Sequence, residues 1–107
     1  MSKFAGLGQA GFGGVAPKLA QLTDAVLFGN IWESDGLSRR DRSLITVAAL
    51  IALYRHEQLP FHLQTAIEHG VSMEELAEII THLAFYAGWP AAASAASMMK
   101  SLDRHVP

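Results

Sequence analysis

Helix boundaries punctuate this chain so regularly that they leave little choice of fold. Residues that open helices recur at Pro17, Ser38, Pro60, Ser72 and Pro90, and glycines placed to close them stand at Gly29, Gly70 and Gly88. Proline suits a first helical turn, where its missing N–H costs nothing. Glycine readily takes the left-handed conformation that ends a helix. Between these marks apolar residues return at helical spacing, as in Leu19, Leu22 and Val26, or Leu76, Ile79, Ile80, Leu83 and Tyr86. No segment alternates like a strand between hairpin turns. The chain reads as all-α, with about five helices.

The first helix is expected from Pro17 to near Gly29, followed by a loop, Asn30 to Gly36, that holds Trp32. Ser38 with Asp41 resembles a capping box and opens the second helix, which runs to about Tyr54. From Leu44 onward that helix is apolar nearly all round, which predicts a central, buried helix. Arg55-His56-Glu57-Gln58 breaks it, and a third helix runs from Pro60 to Gly70. Ser72 with Glu75 opens a fourth, with Leu76 to Tyr86 as its inner stripe. Trp89-Pro90 opens a fifth, rich in small residues from Ala91 to Ser97. Ahead of these, residues 1–16 carry Gly6, Gly8, Gly11, Gly13 and Gly14, an entropic burden for any regular element. They are expected to form an arm, either unstructured or ordered on a neighbouring subunit, with residues 17–107 as the helical domain.

Half of the 107 residues are hydrophobic and 17% are charged. That is more apolar surface than a small monomer easily hides, which predicts burial between subunits. The net charge of −2 and the lack of a basic face argue against nucleic acid. The longest apolar run, Leu44 to Tyr54, is far short of the roughly 20 residues a membrane span needs. The start of the chain lacks a leader pattern, so a cytoplasmic location is expected. The chain has no cysteine, which removes thiolate nucleophiles and thiolate metal ligands together.

Five histidines invite a metal reading. His56-Glu57 begins like the zinc-protease motif, but the next histidine, His62, falls six residues later and beyond Pro60. No metal is expected, because a zinc site built from His56, His62 and His82 needs convergence that the spacing does not show. His62 carries the most chemical interest. Imidazole gives or takes a proton near neutral pH, and Glu57 and Arg55 stand just before it. Arg42 and Arg55 suit a substrate carboxylate, and equally suit surface ion pairs. His82 lies one turn after Glu78 and one before Tyr86. Phe85, Tyr86 and Trp89 fit either a pocket wall or a core.

Three segments, Gly36 to Leu50, Phe61 to Ser72, and Glu74 to Glu78 with His82 to Ala92, together resemble the carboxymuconolactone decarboxylase family of the alkylhydroperoxidase-like superfamily. The resemblance runs from about Val26 to Ala96. It implies an alkylhydroperoxidase-like helical fold assembled as a homotrimer or homohexamer, and a cofactor-free decarboxylation of a small carboxylated lactone in aromatic catabolism. It also implies an arginine that anchors the substrate and a histidine, His62, that delivers the proton; with the residue reading, His62 and Glu57 are the expected catalytic residues, and Arg42, Arg55, His82, Tyr86 and Trp89 the expected substrate contacts. The superfamily includes dithiol peroxidases whose histidine falls eight residues before a helix-ending glycine, as His62 does before Gly70. Their cysteines would fall on Arg55 and Gln58, so thiol peroxidase chemistry is excluded here. Two other readings stay open: a non-catalytic oligomeric binding protein, and a metal-assisted enzyme using the histidines.

Overall fold

A computed structural model describes residues 3–102, and every described element is helical. The chain forms two compact units, Met1–Arg39 and Arg40–Pro107. In the first, α1 (Leu7–Phe12) packs against α2 (Pro17–Leu22), which continues without a break as a π-helix over Thr23–Ile31. The glycine-rich segment expected to be an arm therefore holds a short helix. Asp24 makes this possible, because its carboxylate accepts the N–H of Gly8 at 2.7 Å and of Gln9 at 3.0 Å. Carboxylates that satisfy such orphan donors stabilise a helix start. Gly8 also sits so close that a Cβ there would lie 2.6 Å from the Ala20 carbonyl oxygen.

The π-helix carries the chain past Gly29, where the helix was expected to stop. Its bonding runs five residues back, as in the 3.0 Å bond from Trp32 N–H to the Leu27 carbonyl. Trp32, expected in an open loop, is buried against Phe4, with ring centroids 5.0 Å apart, while Phe4 stacks on Phe28 at 4.3 Å. These three rings are the nucleus of the unit. The opposite face stays open: Leu19, Leu22, Val26, Leu27 and Ile31 line a shallow apolar groove of about 360 Å³.

The second unit contains α3 (Arg39–Ala52, from its second residue on), α4 (Leu59–Glu68), α5 (Met73–Ala87) and α6 (Trp89–Met98), with a closing 3₁₀ turn over Met99–Ser101. Each helix contributes one stripe to a single buried cluster. The stripes include Val47 and Ile51; Leu59, Leu63 and Ala66; Leu76, Ile80 and Ala84; and Ala91, Ala92 and Ala95. The alanines let α6 lie close on α5. A further expectation to change is the burial of α3. Of α3 only Ser43, Val47 and Ile51 are buried, while Ile45, and Leu53 just past its end, are 57% and 58% exposed. From Leu44 onward the helix is apolar nearly all round, but within one chain only one face is covered. The inner stripe of α5 also ends before Tyr86, which is 78% exposed.

The helix ends follow local chemistry. At the end of α4, Gly70 takes φ +98°, its N–H bonds the Ile67 carbonyl at 3.1 Å, and the Val71 N–H reaches Ala66 at 2.9 Å. This is the Schellman pattern, and buried Val71 supplies its apolar contact. At the start of α5 the expected capping box is formed. The Ser72 hydroxyl accepts the Glu75 N–H at 3.0 Å, and the Glu75 carboxylate accepts the Ser72 N–H at 2.9 Å.

The same carboxylate is ion-paired with Arg40, so it ties the start of α3 to the start of α5. The Ser72 N–H first, and the Arg40 guanidinium second, hold the Glu75 carboxyl below its ordinary value of 4.5. A carboxylate with a depressed folded-state pKa adds stability above its unfolded value and loses it as pH falls through the folded one. The melting temperature of Glu75→Gln should therefore lie below wild type near neutral pH. That gap should close as pH falls below about 4.5. A gap unchanged in strong acid would contradict this role.

Candidate functional site

Four of the residues singled out by sequence lie on the α3–α4 pair. Arg42 is in the first turns of α3 and half-buried; its carbonyl accepts the Thr46 hydroxyl at 2.7 Å. Arg55 and Glu57 lie in the exposed link between the helices. Arg55 is nevertheless fixed by its backbone, because its N–H bonds the Leu50 carbonyl at 2.9 Å and its carbonyl accepts the Leu59 N–H at 3.0 Å. One residue thus closes α3 and opens α4.

His62 follows one turn into α4, its N–H bonded to the Gln58 carbonyl at 3.3 Å. Leu59, Leu63 and Ala66 form the buried stripe of this helix, and His62 sits at the edge of that stripe, half-buried. Its ring meets Phe61 edge-on at 5.1 Å. The His62 Nδ1 and Arg42 Nε atoms are buried and make no hydrogen bond, although both residues make other contacts.

The remaining three lie on α5 and α6. His82 and Tyr86 stack one turn apart at 4.8 Å. Trp89 meets Phe85 edge-on at 5.5 Å and borders an open apolar cleft of about 210 Å³, together with Ile80, Ala84, Ala92 and Ala96. Phe85, Tyr86 and Trp89 are all mostly exposed, so none is a core residue in the lone chain. Among the described residues, no three His, Asp or Glu side chains are grouped to hold a metal ion.

This arrangement offers one half-buried imidazole and two arginines on a single helical pair. It can deliver a proton and attract a carboxylate. Residues 17–101 match the model of the carboxymuconolactone decarboxylase family. The chain belongs to that family. Over 75 residues, 70% of this chain, it is 41% identical to a 4-carboxymuconolactone decarboxylase of Acinetobacter baylyi, covering 56% of that protein. Over 63 residues, 59% of this chain, it is 36% identical to a nitrosuccinic acid decarboxylase of Metarhizium robertsii, covering 44%. The chain thus spans about half the length of the curated relatives it matches.

Family membership does not account for one buried contact that sequence reasoning missed. The Ser43 hydroxyl, fully buried, lies 2.9 Å from His69 Nδ1 and joins α3 to the end of α4. The sequence does carry a faint signal of it, a serine in the i, i+4, i+8 stripe with Val47 and Ile51. Substrate cannot reach a hydroxyl with no exposed surface, so this pair holds helices together and is not a nucleophile and base.

Proposed function

We propose that this protein is a cofactor-free decarboxylase of a small carboxylated substrate resembling 4-carboxymuconolactone, of the kind formed in aromatic catabolism. The observation that carries the reading is the place of His62. It is a half-buried imidazole at the edge of the core, on the helix that follows Arg55, in a chain of a family whose curated relatives are named as decarboxylases.

The chemistry asks for three things. An arginine, Arg42 or Arg55, holds the substrate anion, since guanidinium matches carboxylate in charge and shape. The departing carboxylate leaves as carbon dioxide, and the electron pair of the broken C–C bond passes into the unsaturated lactone as an enolate. His62, as imidazolium, then gives its proton to the α carbon of that enolate, next to the lactone carbonyl, and is reprotonated from water. Glu57, five residues before His62, belongs to this reading as the second catalytic residue. His82, Tyr86 and Trp89 belong to this reading as further substrate contacts.

The working form is a homotrimer or homohexamer. Ile45 on α3, Leu53 just past its end, Phe85, Tyr86 and Trp89 on α5 and α6, and the apolar groove of the first unit are all exposed in the lone chain. Apolar surface on this scale is characteristic of a subunit interface. Among the described residues no helix is long and apolar enough to cross a membrane.

General acid catalysis contributes about 10²- to 10⁴-fold, so His62→Asn should lower kcat by that order with a smaller change in KM. A lower melting temperature with kcat retained would remove His62 from the reaction. Light scattering at micromolar concentration should give three or six times the subunit mass, and a stable monomer would overturn the assembly.

A further inference from the structure

The chain builds the same helix-ending turn twice, with different residues at its critical position. At the end of α4 that position is Gly70, with φ +98°. At the end of α3 the Tyr54 N–H bonds the Ile51 carbonyl at 3.3 Å and the Arg55 N–H bonds Leu50 at 2.9 Å. This is the same pair of bonds that Gly70 and Val71 make to Ile67 and Ala66. Here, however, the left-handed residue is a tyrosine, with φ 57°, and it is the one non-glycine residue with positive φ among those described.

A bulky side chain in that conformation is strained, and glycine makes the turn without the strain. The turn alone therefore does not explain Tyr54. Burial does not explain it either, because the side chain is 49% exposed. Its ring lies 5.7 Å from His56, and between them stands Arg55, whose backbone is pinned to both α3 and α4. Three consecutive side chains able to donate to an anion are thus presented at one rigid corner, one turn before the helix that carries His62.

We propose that Tyr54 is a substrate-binding residue, whose phenol donates a hydrogen bond to the substrate carboxylate drawn by Arg55. The proposal rests on the decarboxylase reading and extends it, since it assigns Arg55 rather than Arg42 to the anion and gives it a partner. Tyr54 is about half exposed at this corner, where a glycine would leave bare chain. An anion held there meets a phenolic donor and a guanidinium whose shared backbone does not yield. Fixed donors of this kind bind without the cost of ordering a loop.

The test uses Tyr54→Gly and Tyr54→Phe in the full chain, with succinate as a non-reacting dicarboxylate probe. Tyr54→Gly keeps the turn and relieves its strain, so its melting temperature should stay within about 3 °C of wild type or rise. Its KM for 4-carboxymuconolactone, and its Kd for succinate by calorimetry, should both rise about tenfold, the loss expected for one hydrogen bond to a charged group. The kcat should change less than about twofold, and Tyr54→Phe should show the same rise in KM. A Tyr54→Gly protein with KM and Kd unchanged would overturn the proposal, as would a wild-type protein that neither binds succinate nor turns over the lactone. If wild type binds succinate, Tyr54→Gly weakens that binding, and neither protein turns over lactone, the binding role stands and the decarboxylase reading falls.

Discussion

One buried cluster organises the second unit, and the positions of all the candidate residues there follow from it. Ile51, Leu59, Leu63 and Leu76 are almost wholly enclosed, and each such side chain contributes about 1.5–3 kcal/mol on burial. The cluster uses one stripe from each of four helices. That choice turns the remaining face of α3 outward, puts His62 at the margin between core and surface, and leaves Phe85, Tyr86 and Trp89 on the outside. The exposed faces are therefore as much a consequence of the core as the buried ones.

Much of this architecture was legible in the sequence, and the reason is locality. The ends of α4, α5 and α6 depend on Pro60, Gly70, Ser72, Glu75 and Pro90, whose effects reach only a few residues. What was not legible depends on partners distant along the chain. Nothing near Gly8 announces that the Asp24 carboxylate will accept its N–H, so a helix was missed in a segment with so much glycine. Trp32 read as a loop residue because its burial needs Phe4, twenty-eight positions earlier, and a π-helix that local propensity does not foretell. Burial of α3 was overestimated for a related reason: hydrophobicity all round a helix says that every face wants covering, not that one chain can cover them.

The candidate site divides along the same line. Spacing alone left His62 among several weak possibilities, and its prominence came from resemblance to a family. The structure adds its half-burial and its place after the Arg55 corner. The Ser43–His69 contact and the left-handed Tyr54 lay beyond any reading of pattern, since one joins side chains twenty-six residues apart and the other is a backbone conformation that tyrosine rarely adopts. In the proposed reaction the substrate's own unsaturation would take up the electrons, which leaves the protein to hold an anion and return a proton.

The most direct measurement is the reaction of wild-type protein with 4-carboxymuconolactone in deuterium oxide, followed by absorbance and by mass spectrometry of the product, with the Acinetobacter baylyi relative run in parallel. The account predicts loss of the lactone with release of carbon dioxide, and an enol-lactone carrying one deuterium at the ring carbon next to the lactone carbonyl. Lactone left intact by this protein, under conditions in which the relative consumes it, would contradict the account.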